Sequence, residues 1–123
     1  MRAKTIIASL LLSSSLAIAF AAPAMAQPSY DGRWRADIET TVGNCPKSGQ
    51  VVLTIKANRV EAIDAQGVTP WGYIDDTNTF VGHFNIGEKV VRANGDVKGQ
   101  TASGPWSSNT DYCGGRWTAH KID

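Results

Sequence analysis

The chain carries only two cysteines and two methionines in 123 residues, and almost no excess of either charge. Each shortage removes a class of function. Cys45 and Cys113 are too few for a zinc site built on thiolates, and they lack the Cys-x-x-Cys spacing of a redox pair. Both methionines, Met1 and Met25, lie within the first 26 residues, so none remains beyond them to ligate a metal or haem. Lys and Arg number 12 against 11 Asp and Glu. That balance gives no footing to a nucleic-acid or anionic-membrane partner, either of which calls for a basic excess. No stretch keeps a helical hydrophobic period, and there is no internal linker, low-complexity segment or second domain. Nucleophile, metal-ligand and phosphate-loop patterns are also missing, so no enzyme class and no cofactor is expected.

What is present begins with a leader. Arg2 and Lys4 precede an apolar run from Thr5 to Phe20, and Ala24-Met25-Ala26 supplies the small-x-small pattern of a signal-peptidase site. The run is too short, and too closely followed by Pro23, to be a spanning helix. Residues 1–26 therefore read as a cleavable signal peptide and residues 27–123 as one small domain. The product is expected in the periplasm or secreted, with no membrane span in the mature form. In an oxidising compartment an even pair of cysteines reads as a disulfide. Closing so long a loop contributes roughly 4 kcal/mol by loop-closure entropy, comparable with the net stability of a domain this small.

Short alternating runs separated by Gly, Asn and Asp predict an all-β domain. In the first strand Tyr30, Gly32, Trp34, Ala36 and Ile38 share one face, while Asp31, Arg33, Arg35, Asp37 and Glu39 share the other. Further strands are expected over 50–57, 59–64, 68–75, 79–86, from Lys89 onward, 102–108 and 112–121, with two-residue turns at Gly87-Glu88 and near Asn58. Asn94-Gly95 carries the strongest hairpin signal and would split the sixth strand. In a meander closing on itself, an even strand count brings the end of the first strand and the start of the last to one rim. Only then do Cys45 and Cys113 come within the Cα separation of about 7 Å that a disulfide needs. Asn94-Gly95 therefore reads as a bulge in a long strand, and the domain as a small eight-stranded antiparallel up-and-down barrel.

Three echoes, Tyr30-Asp31-Gly32-Arg33-Trp34, Gly104-Pro105-Trp106 and Cys113-Gly114-Gly115-Arg116-Trp117, resemble the pattern of small exported one-disulfide proteins of alphaproteobacteria. The resemblance covers nearly all of residues 27–123 and implies fold, not activity. More distantly, Gly32-x-Trp34 is similar to the lipocalin and avidin signature, in which a tryptophan plugs one end of an eight-stranded barrel. This chain is much shorter than a lipocalin and lacks its C-terminal helix. In outline it also resembles bacterial inhibitors of secreted metalloproteases.

Candidate sites are few. His83 and His120 fall on the outward parity, with no ligand spacing around them. Asp75, Asp76 and Asn78 resemble turn chemistry more than a calcium loop. Trp34, Trp106, Trp117, Phe80 and Phe84 have inward parity and are expected to fill the barrel, with Gly32, Gly82, Gly104 and Gly115 making room beside them. Trp71 and Tyr73 depend on the turn that follows them. A two-residue turn at Asp76-Thr77 sets Tyr73 opposite Phe80 and inward. One more residue sets Ile74 opposite Phe80 and leaves Trp71 and Tyr73 outside near His83, as a candidate binding surface. The expected function is a non-enzymatic exported binding module whose partner is a protein, a glycan or a small hydrophobic ligand. Its competitors are inhibition of a secreted protease, through the Gln27-Pro28-Ser29 segment or a rim loop, and carriage of a hydrophobic ligand inside the barrel.

Overall fold

The structure is a computed structural model that describes residues 27–123, together with 13–15 and 17; the expected leader lies outside the described residues. Among the described residues no helix is long and apolar enough to cross a membrane. Alternating in-out sequence produces eight strands: β1 Gly32–Val42, β2 Ser48–Lys56, β3 Arg59–Ile63, β4 Val68–Ile74, β5 Thr79–Ile86, β6 Lys89–Lys98, β7 Thr101–Ser108 and β8 Gly114–Lys121. Each pairs antiparallel with its neighbour in sequence, and β1 pairs with β8 to close the barrel. Closure leaves no free sheet edge to recruit another chain.

Turn chemistry sets the register. Ala57 and Asn58 both take positive φ between the paired Lys56 and Arg59, as the tightest hairpin requires. Gly87 and Gly99 each open a two-residue turn at positive φ. The β4–β5 turn is the longer of the two alternatives: Asp76, Thr77 and Asn78 form it, Asn78 is left-handed at φ 62°, and Ile74 pairs with Phe80. Asp75 Oδ1 holds that turn by accepting from Thr77 N, Thr77 Oγ1 and Thr79 N at 2.9, 2.7 and 3.0 Å.

Asn94-Gly95 is neither a turn nor a bulge. It lies inside β6 with unbroken register on both sides, Phe80 opposite Gly95 on β5 and Asp96 opposite Ser103 on β7. Glycine stands at 95 because β7 and an indole press on that spot: a Cβ there would overlap the Ser103 carbonyl and come within 2.7 Å of the Trp117 ring. The bulges fall elsewhere, between Thr54 and Ile55 on the β2–β3 ladder and between Thr40 and Val42 on β1–β8. β8 begins at Gly114 rather than Tyr112, whose backbone turns left-handed at φ 52°. β1 begins two residues after Tyr30, because Tyr30 serves as part of a lid.

That lid closes the lower end, where the β2–β3, β4–β5 and β6–β7 turns lie. Tyr30 is buried; its amide donates to Asn58 Oδ1 at 2.8 Å and its hydroxyl to Asn78 Oδ1 at 2.7 Å. Trp34 Nε1 donates to the Tyr30 carbonyl at 2.8 Å, so the indole sits directly above the tyrosine. Asp31 accepts the amides of Ala57 and Asn58, and these bonds hold its carboxyl below the usual carboxylate range. Gln27 and Pro28 are also tied down, through Gln27 Nε2 to the Ile74 carbonyl and Asn58 Nδ2 to the Pro28 carbonyl, both at 3.1 Å. Gln27 and Pro28, part of the segment named as one of two routes to protease inhibition, are thus bonded to their own barrel.

At the opposite rim Cys45, between β1 and β2, bonds Cys113, between β7 and β8, with Cα atoms 6.1 Å apart. The even strand count brings these loops together, as the parity argument requires.

Candidate functional site

Strand parity sends Trp34, Ile55, Ile74, Phe80, Val97 and Trp117 into the lower half of the barrel, where they are buried. Phe80 and Trp117 meet edge to face at 5.5 Å. The tryptophans do not fill the upper half. There Ile38, Val51, Ile63, Phe84, Val91 and Trp106 point inward yet stay only partly buried. They line a cavity of about 330 Å³ that reaches from Trp34 and Trp117 to Pro46, Ser48 and Ile86 at the rim. Three small residues make the space: Ala102, Ala119 and Ala36 stand side by side across β7, β8 and β1.

The lining is apolar over most of its depth. Hydroxyls appear only at Thr40 and Ser48, and Thr40 Oγ1 is already occupied by the Pro46 carbonyl at 2.6 Å. Lys89 alone among the lining residues carries a charge. Its Nζ meets Asp111 of the β7–β8 loop at 2.5 Å, and this contact lowers the Asp111 pKa. Asp111 also lies beside the disulfide, with its Oδ2 3.7 Å from Cys45 Sγ. The sulfurs are committed to each other, so Cys45, Asp111 and Cys113 offer no free ligand set for a metal.

Two Gly-x-Trp motifs build the wall beside the cup. Gly104 pairs with Trp117, and Trp106 pairs with Gly115. Each indole crosses its partner glycine to reach the next strand: Trp117 Nε1 donates to the Asn94 and Pro105 carbonyls at 3.2 and 3.1 Å, and Trp106 Nε1 to the Glu39 carbonyl at 3.0 Å. The motif therefore places one tryptophan in the floor and one near the rim.

On the outside, the longer β4–β5 turn sends Trp71 and Tyr73 outward. Trp71 is 49% exposed, meets Tyr73 edge-on at 5.5 Å and lies 5.0 Å from the His83 ring, its cross-strand partner. The structure thus gathers all three residues of the candidate surface. His120 is exposed on β8, on the outward parity. Parity did not reveal the cup, whose signals were the inward alanines and the inward position of a lysine at 89.

Compared with protein families, curated proteins and solved structures, the chain finds no match.

Proposed function

We propose that this chain is an exported binding barrel that carries a small hydrophobic ligand in its upper cup. The observation that carries the reading is the half-filled interior. Six apolar side chains on core parity stay only partly buried and help to line about 330 Å³ of space. That volume lies at the lower end of the roughly 300–1,000 Å³ of small-ligand sites. An empty apolar space forfeits dispersion contacts, and a ligand restores them. The disulfide beside the mouth suits an oxidising compartment and keeps two rim loops together without a ligand.

The test is displacement of an environment-sensitive apolar dye, alongside a variant that fills the cup. Val91→Trp, on an inward wall position, is expected to keep the fold by circular dichroism and to abolish dye uptake. Uptake that is absent in the wild type, or unchanged in the variant, sinks the reading.

A second reading rests on the outer face. Exposed Trp71 and half-buried Tyr73 and His83 form an outward-facing aromatic cluster of the kind that dominates recognition surfaces, so the same barrel presents a contact for a protein or glycan. Trp71→Ala separates the two, because it removes this contact and leaves the cup intact.

A further inference from the structure

The one charged residue lining the cup stands on a single side of it, and it bears on the ligand's chemistry. Below the rim the walls are hydrocarbon and indole. At the rim, on the β6–β7 side, stands Lys89. Its ammonium has three donors and gives only one to Asp111, and the two side chains keep 29% and 40% of their surface in solvent. Diagonally behind it, Ser108 pairs in register with Val91, a wall residue of the cup. Ser108 is 5% exposed, and its hydroxyl has no hydrogen-bond partner. A buried hydroxyl left unpaired is costly and calls for an explanation. A cation with spare donors at the mouth and an unpartnered hydroxyl beside the wall residue Val91 thus share one sector of the barrel, while the lining hydroxyls, Thr40 and Ser48, belong to β1 and β2.

We propose that the cup takes a single-tailed monocarboxylate, tail inward, with its carboxylate at the rim against Lys89 on the Ser108 side. This rests on the reading of the cup as a ligand site. At the roughly 30 Å³ a water-sized group occupies, the cup has room for about ten non-hydrogen atoms, so the tail is of medium length. A carboxylate accepts from an ammonium in a charge-assisted bond that a neutral head cannot match. Asp111 acts as the built-in competitor: it occupies Lys89 in the free protein, and the ligand's head must share or displace it.

Three probes with ten-carbon chains and different heads test this: decanoate, decanol and decyltrimethylammonium, each displacing the apolar dye from the full barrel with its disulfide intact. Decanoate is expected to bind tightest and the ammonium weakest. Lys89→Met is expected to weaken decanoate about five- to tenfold with decanol unchanged, while Asp111→Asn tightens decanoate about two- to fivefold by freeing the ammonium. Because both side chains keep contact with solvent, both substitutions are expected to fold, as circular dichroism checks. If decanol binds as tightly as decanoate, or Lys89→Met leaves decanoate unaffected, the head-group assignment is overturned while the apolar cup stands. If none of the three displaces the dye, both fall.

Discussion

Gly104 and Trp117 pair in register across β7 and β8, and the Trp117 indole N–H reaches beyond β7 to the Asn94 carbonyl on β6. A Cβ at 104 would overlap the Asn94 carbonyl oxygen and press on the Gly95 backbone. Gly104→Ala is therefore expected to destabilise the barrel by about 1–3 kcal/mol through overpacking. Gly49→Ala, with nothing near its Cβ position, should shift stability by less than about 0.5 kcal/mol. Urea unfolding followed by tryptophan fluorescence compares the two, and equal midpoints would remove the close-approach argument.

The Cys45–Cys113 bridge spans 68 residues of sequence. Replacing both with serine is expected to lower stability by about 2–4 kcal/mol, read as a lower urea midpoint. An unchanged midpoint would mean that the reduced, unfolded chain is already compact.

Asp31 links acid stability to the lid. Its carboxyl is held below the ordinary 3.8, first by the Asn58 amide and then by the Ala57 amide. A depressed folded pKa contributes stability that is full above the ordinary value and is lost as pH falls through the lower, folded one. Asp31→Asn should lessen the acid-induced drop in unfolding midpoint below about pH 4, with Asp75, Asp111 and Asp123 carrying the remainder. Identical pH profiles would show that the lid does not feel this carboxylate.

Ser108→Ala removes a buried hydroxyl that has no partner in the free protein. It should leave stability unchanged or raise it by about 1 kcal/mol, whereas a loss of that size in urea unfolding would reveal a bond absent from this structure.

Trp71 and Trp34 offer a paired test of parity. Trp34, 4% exposed, should cost about 3–5 kcal/mol on truncation to alanine. Trp71, 49% exposed, should cost less than about 1 kcal/mol by the same measurement.

Much of this barrel was legible in residue order, because a period of two and a turn vocabulary of Gly, Asn and Asp are local signals. The fifth strand, Thr79–Ile86, lies where alternation places it. The cysteine pair supplied the one long-range constraint, and it decided the even strand count. Asn94-Gly95 misled because the dipeptide meets two needs alike, a left-handed turn and a close crossing of backbone. The approach of the Ser103 carbonyl and the Trp117 indole, both from later strands, distinguishes them. The lid escaped notice since Tyr30 continues the parity of β1 without joining it. The cup was hidden for a further reason: inward alanines are equally consistent with tight packing against large neighbours and with open space. Volume is a property of all the walls together.

The seam between β1 and β8 joins the two extremes of the domain. A chain synthesised from its amino end has to wait for its final strand before the circle can be completed. Until Gly114–Lys121 emerges, one edge of β1 is unpaired, and Cys113, the mate of Cys45, lies immediately ahead of that strand. Both the strand that completes the ring and the cysteine that completes the bridge thus come from the final stretch of the domain, so barrel closure is a contact between its most distant segments in sequence.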